Sequence, residues 1–328
     1  VLKAKIAAHM RIRELTQVIT QKNQQLTEHN NRWQREQNIV AHIFNKALEH
    51  NLSQCESLRS HIAPATTFNG DILLSAPSPS GGLYVFLGDF TGHGLGASIG
   101  TLPIAHSFDQ LALRHLSVGE TAFEFNKMLA SMLPDYMFCC ATILELNALG
   151  DSVQIWMGGL PDAYLVGRDG AIKENICSQN MPLGVEHNEK FNKGFEVKML
   201  APGESVICFT DGIIEAENPA EEFFEEERLL KCFGQGIKDP FGHVVEELNN
   251  FIDGAEQRDD ISLVAVSAGP VVIKSHDDKQ TIVEGYEGIF WSMSCDLGVD
   301  DIQRSNPVEE IMSILGAQTL LRPNRDVI

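Results

Sequence analysis

The sequence predicts an α+β fold: two β-sheets face to face, flanked by helices and preceded by a long N-terminal helix. Three observations predict it. Residues 1 to about 50 contain no proline and no glycine, and their apolar residues are spaced among polar ones. Beyond Phe68, short apolar runs are separated by Gly- and Pro-rich turns, the mark of strands. Strand-like runs come in groups and helix-like runs come in groups, which excludes a regular βαβ alternation.

Taken in order, the N-terminal helix places Ile12, Ile19, Leu26, Trp33 and Val40 at seven-residue intervals. Leu15 and Ile43 fall on a second seam position, but Lys22, His29 and Glu36 hold it in between. Half a heptad seam fits a dimeric signalling helix of coiled-coil type; the other reading is a long helix packed on its own domain. A chain that starts inside such a helix reads as a fragment. "DILLSAP" and "GLYVFLGDF" form a hairpin around Pro77, Pro79 and the Gly81-Gly82 turn. "GASIGTLPIAHSFDQLALRHL" is helical, bent or entered at Pro103, and "GETAFEFNKMLASML" is a second helix ended by Pro134. "CCATILEL", "DSVQIWMG" and "DAYLVGRDG" are three strands, "SVICFTDGII" another, "PFGHVVEELNNFI" an amphipathic helix and "DISLVAV" a last strand. After Gly269-Pro270, "QTIVEGYEGIFWSMSC" reads as strand and "NPVEEIMSILGAQTLL" as a short helix.

Composition narrows the function. A net charge of −20 argues against nucleic acid, whose phosphates need clustered Lys and Arg, and against docking on an anionic membrane. The same charge is compatible with binding cations. No apolar stretch approaches the roughly 20 residues of a spanning helix, and the N-terminus lacks the order of a signal peptide. The seven cysteines are scattered without a CxxC pair, as expected of reduced thiols in a cytoplasmic protein.

"FLGDFTGHGLGAS" (residues 86–98) invites a nucleotide reading that its residues do not support. No P-loop lysine follows its glycines. Gly92, Gly94 and Ala97 meet the looser dinucleotide spacing, but a second strand ending in an acid should follow the helix, and another helix follows instead. What remains is Asp89 at the end of a buried strand, before a tight turn. Other strand ends carry acids too: Asp71 precedes "ILL", Asp211 ends "CFTDG", and Asp259 and Asp260 precede the last strand. Singly, an Asp-Gly pair is an ordinary turn and a double Asp a solvated loop. Jointly, acids flank four core strands, and hard oxygen ligands without His or Cys select Mg²⁺ or Mn²⁺.

"GDFTGHG", "PLGV", "LAPGESVICFTDGIIEAEN" and "RDDISLVAV" resemble, in order, the motifs of bacterial metal-dependent serine/threonine phosphatases. The branch is that of stage II sporulation phosphatase E, related to the type 2C enzymes. The resemblance implies a β-sandwich with helices on both outer faces. It implies that Asp89 bridges two metal ions, that the Phe90 carbonyl is a neighbouring ligand, and that Asp211 and Asp259 hold the first metal. Asp71 would hold the other, with Asp260 the lesser of the RDD pair. Asp89 and Asp211 are then the catalytic carboxylates, and two Mn²⁺ or Mg²⁺ ions activate a water that attacks phosphorus directly. His93 is a candidate proton donor or a helix-start residue. The chain departs from relatives at Gly159-Leu160-Pro161, where many carry Gly-His-Pro, and only Arg59 stands near the place of the early phosphate-binding arginine of eukaryotic type 2C enzymes.

The ends carry resemblance as well. "VLKAKIAAHMRIRELTQ" is similar to the last helix of a response-regulator receiver, and "IFWSMSCDLGVDDIQRSNPVEEIMSILGA" to the opening of an anti-sigma-factor-type ATPase domain. The expected organisation is a signalling helix over 1–50, a phosphatase domain over 51–268 and an extension over 269–328. The expected function is a protein phosphatase acting on a phosphorylated anti-sigma-factor antagonist, dimeric through its N-terminal helix, which would relay the receiver's state. The alternative is a catalytically silent dimeric adaptor of the same fold.

Overall fold

The computed structural model describes residues 2–48, 54–66, 69–92, 94–186 and 189–274. The chain opens with helix α1 (Leu2–Leu48), and strands then begin earlier than the sequence indicates, with β1 (Gln54–Cys55) and β2 (Leu58–Ala63). β2 escapes a sequence reading because its residues are half-buried or exposed along its length. The hairpin is β3 (Asp71–Pro77) with β4 (Leu83–Phe90), paired antiparallel. Helices α2 (Leu95–Ala112) and α3 (Val118–Met132) follow. Ser117 begins α3 with a capping box: its hydroxyl accepts from the Glu120 amide while the Glu120 carboxylate accepts from the Ser117 amide.

Next come β5 (Cys139–Leu146), β6 (Ser152–Gly158), β7 (Ala163–Val166), β8 (Ile172–Ile176), β9 (Glu196–Met199) and β10 (Ser205–Phe209). A 3-10 turn, Asp211–Ile213, leads to α4 (Glu225–Lys231) and α5 (Pro240–Ile252). Proline at the first turn of α5 and the Asp239 carboxylate on the Gly242 amide start that helix. β11 (Ile261–Ser267) and β12 (Ile273–Lys274) close the described chain, and β12 pairs with β1. The expected strand and helix after residue 275 lie outside the described residues, as does His93. Among the described residues no helix is long and apolar enough to cross a membrane.

The strands form two five-stranded antiparallel sheets, in the orders β3-β4-β5-β6-β9 and β2-β11-β10-β7-β8. The chain changes sheet between β6 and β7, so β7 pairs with β10 and β8 and not with the preceding strand β6. Alternation sorts the side chains. Leu83, Val85 and Leu87 of β4 face the gap between sheets, where they meet Val206, Cys208, Val264 and Val266. Tyr84, Phe86 and Phe90 face outward under α2 and α3, with Phe86 edge-on to Phe125 at 5.3 Å. The second sheet sets Phe209, Ile261 and Leu263 under α4 and α5, against Phe224, Val244 and Leu248. Helices therefore cover both outer faces. The Lys198 ammonium joins Glu174 of β8 at 2.6 Å and Glu196 at 2.5 Å, tying the edge strands of the two sheets.

Candidate active site at one end of the sandwich

The inward alternation of β4 runs Leu83, Val85, Leu87 and then Asp89, so the strand's apolar face ends in a carboxylate. Asp71, the first residue of β3, is the direct cross-strand partner of Asp89. Cys140 of β5 is the partner on the other side, making a ladder Asp71, Asp89, Cys140. The second sheet brings the facing groups. Thr210 directly follows β10, and its hydroxyl donates to the Asp71 carboxylate at 2.9 Å across the gap while accepting from the Ser262 amide at 3.0 Å. Asp211 opens the 3-10 turn. Gly212 lies against the residue before β11: a Cβ there would stand 2.0 Å from the Asp260 carbonyl oxygen. Absence of that Cβ lets the turn bearing Asp211 touch the segment bearing Asp259 and Asp260.

Asp259 and Asp260 do different things. The Asp260 carboxylate is buried and accepts from the Ala65 amide at 2.8 Å and the Gly70 amide at 2.6 Å. It holds the loop that leads into Asp71. Asp259 is half-exposed, and among the described residues its carboxylate takes a hydrogen bond from the Asp260 amide at 2.8 Å. A Cβ on Gly70 would stand 3.2 Å from the Phe90 carbonyl oxygen, so glycine leaves that oxygen uncrowded.

The electrostatics are those of concentrated negative charge. Burial pushes Asp89 up to about 8, reinforced by the charges of Asp71, Asp211, Asp259 and Asp260. Burial pushes Asp71 up to about 7, partly offset by the Ser262 and Thr210 hydroxyls and raised again by Asp260 and Asp259. Asp211 is raised by burial and then by Asp259. The Cys140 thiol is pushed up to about 12 by burial and by the charges of Asp89 and Asp211. No positive side chain acts on Asp71 or Asp89 among the described residues. The neighbouring Arg258 is paired with Glu217 at 2.7 Å. Arg59 is likewise committed elsewhere: its guanidinium takes the Asp239 carboxylate in two bonds of 2.7 and 3.1 Å and lies over the Phe241 ring.

A cluster of carboxylates without a cationic side chain suits a hard divalent cation by its donor chemistry. The spacing is looser than a finished cage: among the described residues no three His, Cys, Asp or Glu side chains are grouped tightly enough to hold an ion. The structure thus brings Asp71, Asp89, Asp211 and Asp259 to one end of the gap, together with Thr210, which sequence reasoning missed. The signal was there, since Thr210 continues the inward alternation of Val206 and Cys208.

The family model described as stage II sporulation protein E matches residues 79–269. That range is more than half of the chain and runs from the β3–β4 turn past β11. The chain belongs to the stage II sporulation protein E family. Protein IcfG of Synechocystis is 30% identical over 111 residues, 33% of this chain and 17% of IcfG. The aligned stretch is thus a small part of that relative. Solved structures agree on the fold. The SiaA-PP2C domain of Pseudomonas aeruginosa superposes with a TM-score of 0.60 at 15% identity, covering 73% of this chain and 97% of the domain. The RsbU and RsbW domains of Rv1364c from Mycobacterium tuberculosis give 0.51 at 18% identity, over 67% of this chain and 62% of theirs. The PP2C phosphatase domain of SpoIIE from Bacillus subtilis gives 0.51 at 16% identity, over 66% and 63%. The family's PP2C-like sandwich is therefore the fold of this chain.

Proposed function

We propose that this chain is a Mn²⁺- or Mg²⁺-dependent protein phosphatase that hydrolyses phosphoserine or phosphothreonine on a partner protein. The observation that carries the reading is the Asp71–Asp89 cross-strand pair facing Asp211 and Asp259 across the open end of the sandwich. Asp89 would bridge two ions, Asp211 and Asp259 would hold one of them with the Phe90 carbonyl beside it, and Asp71 would hold the other. Bound there, divalent ions lower the pKa of water and neutralise charge on a phosphoryl group. The protein's own part is to keep these carboxylates in place. Thr210 orients Asp71, Asp260 braces the loop before it, and Gly212 lets the Asp211 turn approach. With Arg59 held by Asp239, the substrate's phosphate would rest on metal, and specificity would come from a wide protein surface. Membership of the stage II sporulation protein E family supports a phosphorylated anti-sigma-factor antagonist as the substrate. Exposed Ile12, Ile19, Leu26 and Trp33 on α1 support a dimer through that helix. A silent adaptor gives no reason for uncompensated acids at four strand ends.

The test is turnover of a phosphorylated antagonist protein with Mn²⁺, comparing wild type with Asp89→Asn and Asp211→Asn. Each variant is expected to lose about two orders of magnitude, the scale on which a single electrostatic stabiliser is felt. Equal turnover by all three overturns the reading.

A further inference from the structure

Two segments beside the carboxylates carry exposed apolar side chains that the chemistry does not use. The first is the turn before β5. Thr91, which follows Phe90, receives and returns hydrogen bonds with Phe138: the Thr91 amide donates to the Phe138 carbonyl at 3.1 Å, and the Phe138 amide donates to the Thr91 hydroxyl at 3.0 Å. Tyr136, two residues earlier, is 78% exposed. The second is the segment 180–186. Leu183 exchanges backbone hydrogen bonds of 2.9 and 2.7 Å with Cys139. Pro182 covers Gly159 beside the Cys140 thiol, so a Cβ on Gly159 would stand 2.6 Å from the proline ring and 2.8 Å from the sulfur. Met181 and Val185, on either side, are 52% and 45% exposed.

Both segments are thus pinned by backbone to the end of β5 where Cys140 stands opposite Asp89. Their foundation is firm. The buried Asn126 side chain of α3 donates to the Glu186 carbonyl and accepts from the Gly184 amide, both at 2.9 Å. Asp135 and Glu186 adjoin Tyr136 and Val185 in the chain, Asp135 exposed and Glu186 partly so. An apolar centre with a charged edge is the anatomy of a protein contact, and Tyr and Met are enriched in such centres.

We infer that Tyr136, Met181 and Val185 form the specificity rim of the site, reading apolar residues beside the phosphorylated serine or threonine of a protein substrate. The inference rests on the phosphatase reading and adds which sequence that phosphatase prefers. The occupant is set by charge as well as by shape. Asp135 and Glu186 at the edge, on a chain of net charge −20, repel acidic flanks and favour basic ones. The preferred segment has an apolar residue next to the phosphoresidue and Arg or Lys further out.

The experiment uses the whole chain with Mn²⁺ and three probes. One is a short phosphoserine peptide with Leu and Val beside the phosphoserine and Arg further out. Another carries Gly and Asp at those positions. The third is p-nitrophenyl phosphate, too small to reach the rim. Wild type is expected to favour the apolar, basic peptide by about tenfold in kcat/KM, the scale of a few well-placed contact residues. The Tyr136→Ala/Met181→Ala variant is expected to lose that preference and to keep wild-type turnover of p-nitrophenyl phosphate. Equal use of the two peptides by wild type overturns the inference, as does a preference that survives in the variant. A parallel fall on all three probes also overturns it, because the residues would then support the fold and not the substrate. A variant that changes oligomeric state instead of peptide preference assigns the face to a second copy and overturns it too. Wild type inactive on every probe brings down the phosphatase reading itself, a result distinct from the others.

Discussion

Asp71 and Asp89 hold protons that an ordinary carboxylate loses near pH 4, since burial and their like-charged neighbours push them up to about 7 and about 8. The sign of the consequence follows. Between about pH 4 and about pH 8 these two groups hold more protons in the folded protein than in the unfolded chain, so their contribution to stability falls as pH rises through that window. For EDTA-treated protein the melting temperature is expected to drop from pH 5 to pH 8. Asp89→Asn removes one of the two charges and should flatten the drop, and Mn²⁺ should raise the wild-type melting temperature at pH 8 far more than the variant's. Scanning fluorimetry checks both, and a shared pH profile for wild type and variant counts against the cluster. Asp260 behaves differently because its carboxylate is already occupied by the Ala65 and Gly70 amides. Asp260→Ala is expected to cost about 2 kcal/mol through the loss of charge-assisted hydrogen bonds. It should lower activity indirectly by loosening the loop before Asp71. Denaturant unfolding measures the first effect. The family resemblance ranks Asp259 above Asp260, but the bracing role of Asp260 was not legible in "RDD", because it depends on where β11 begins and which loop lies beside it.

At the scale of elements, two connections carry the site. The 3-10 turn after β10 sits so close to the start of β11 that a methyl group on Gly212 would collide with the Asp260 backbone. Gly212→Ala therefore has to displace either Asp211 or the Asp259 segment. It is expected to weaken Mn²⁺ activation by about tenfold or more, in line with the cost of disturbing groups that orient ligands. A Mn²⁺ titration of activity shows it, and an unchanged midpoint contradicts the close approach. The second connection is the α3 clamp on residues 184–186 through Asn126. Asn126→Ala leaves two backbone groups without their partner and should cost about 2 kcal/mol, read by chemical denaturation. Both connections were invisible in the sequence for one reason: a glycine or asparagine announces a turn or a cap, not the distant backbone that it meets. β8 and β9 were missed on other grounds. They are edge strands, and "IKENI" and "EVKM" carry the charges that edges use to stay unpaired.

At the scale of the molecule, α1 exposes Ile12, Ile19, Leu26 and Trp33 at seven-residue spacing, each more than half accessible. Ile19→Glu with Leu26→Glu is expected to shift the protein from dimer to monomer in sedimentation while the sandwich keeps its melting temperature. A dimer that persists assigns the association to another surface. The sequence by itself determined the α+β class, α1, the hairpin, α3, α5 and the buried apolar strand that ends near Asp89. These are local patterns, written in residues two to seven positions apart, so each can be read without its neighbours. Only the tertiary structure decided that β7 leaves the first sheet for the second, that Thr210 reaches Asp71 from 139 residues away, and that Asp260 braces a loop. Those outcomes depend on which strands lie side by side and which sheet faces which. That choice is made by packing the whole inter-sheet core at once, and no single segment contains it.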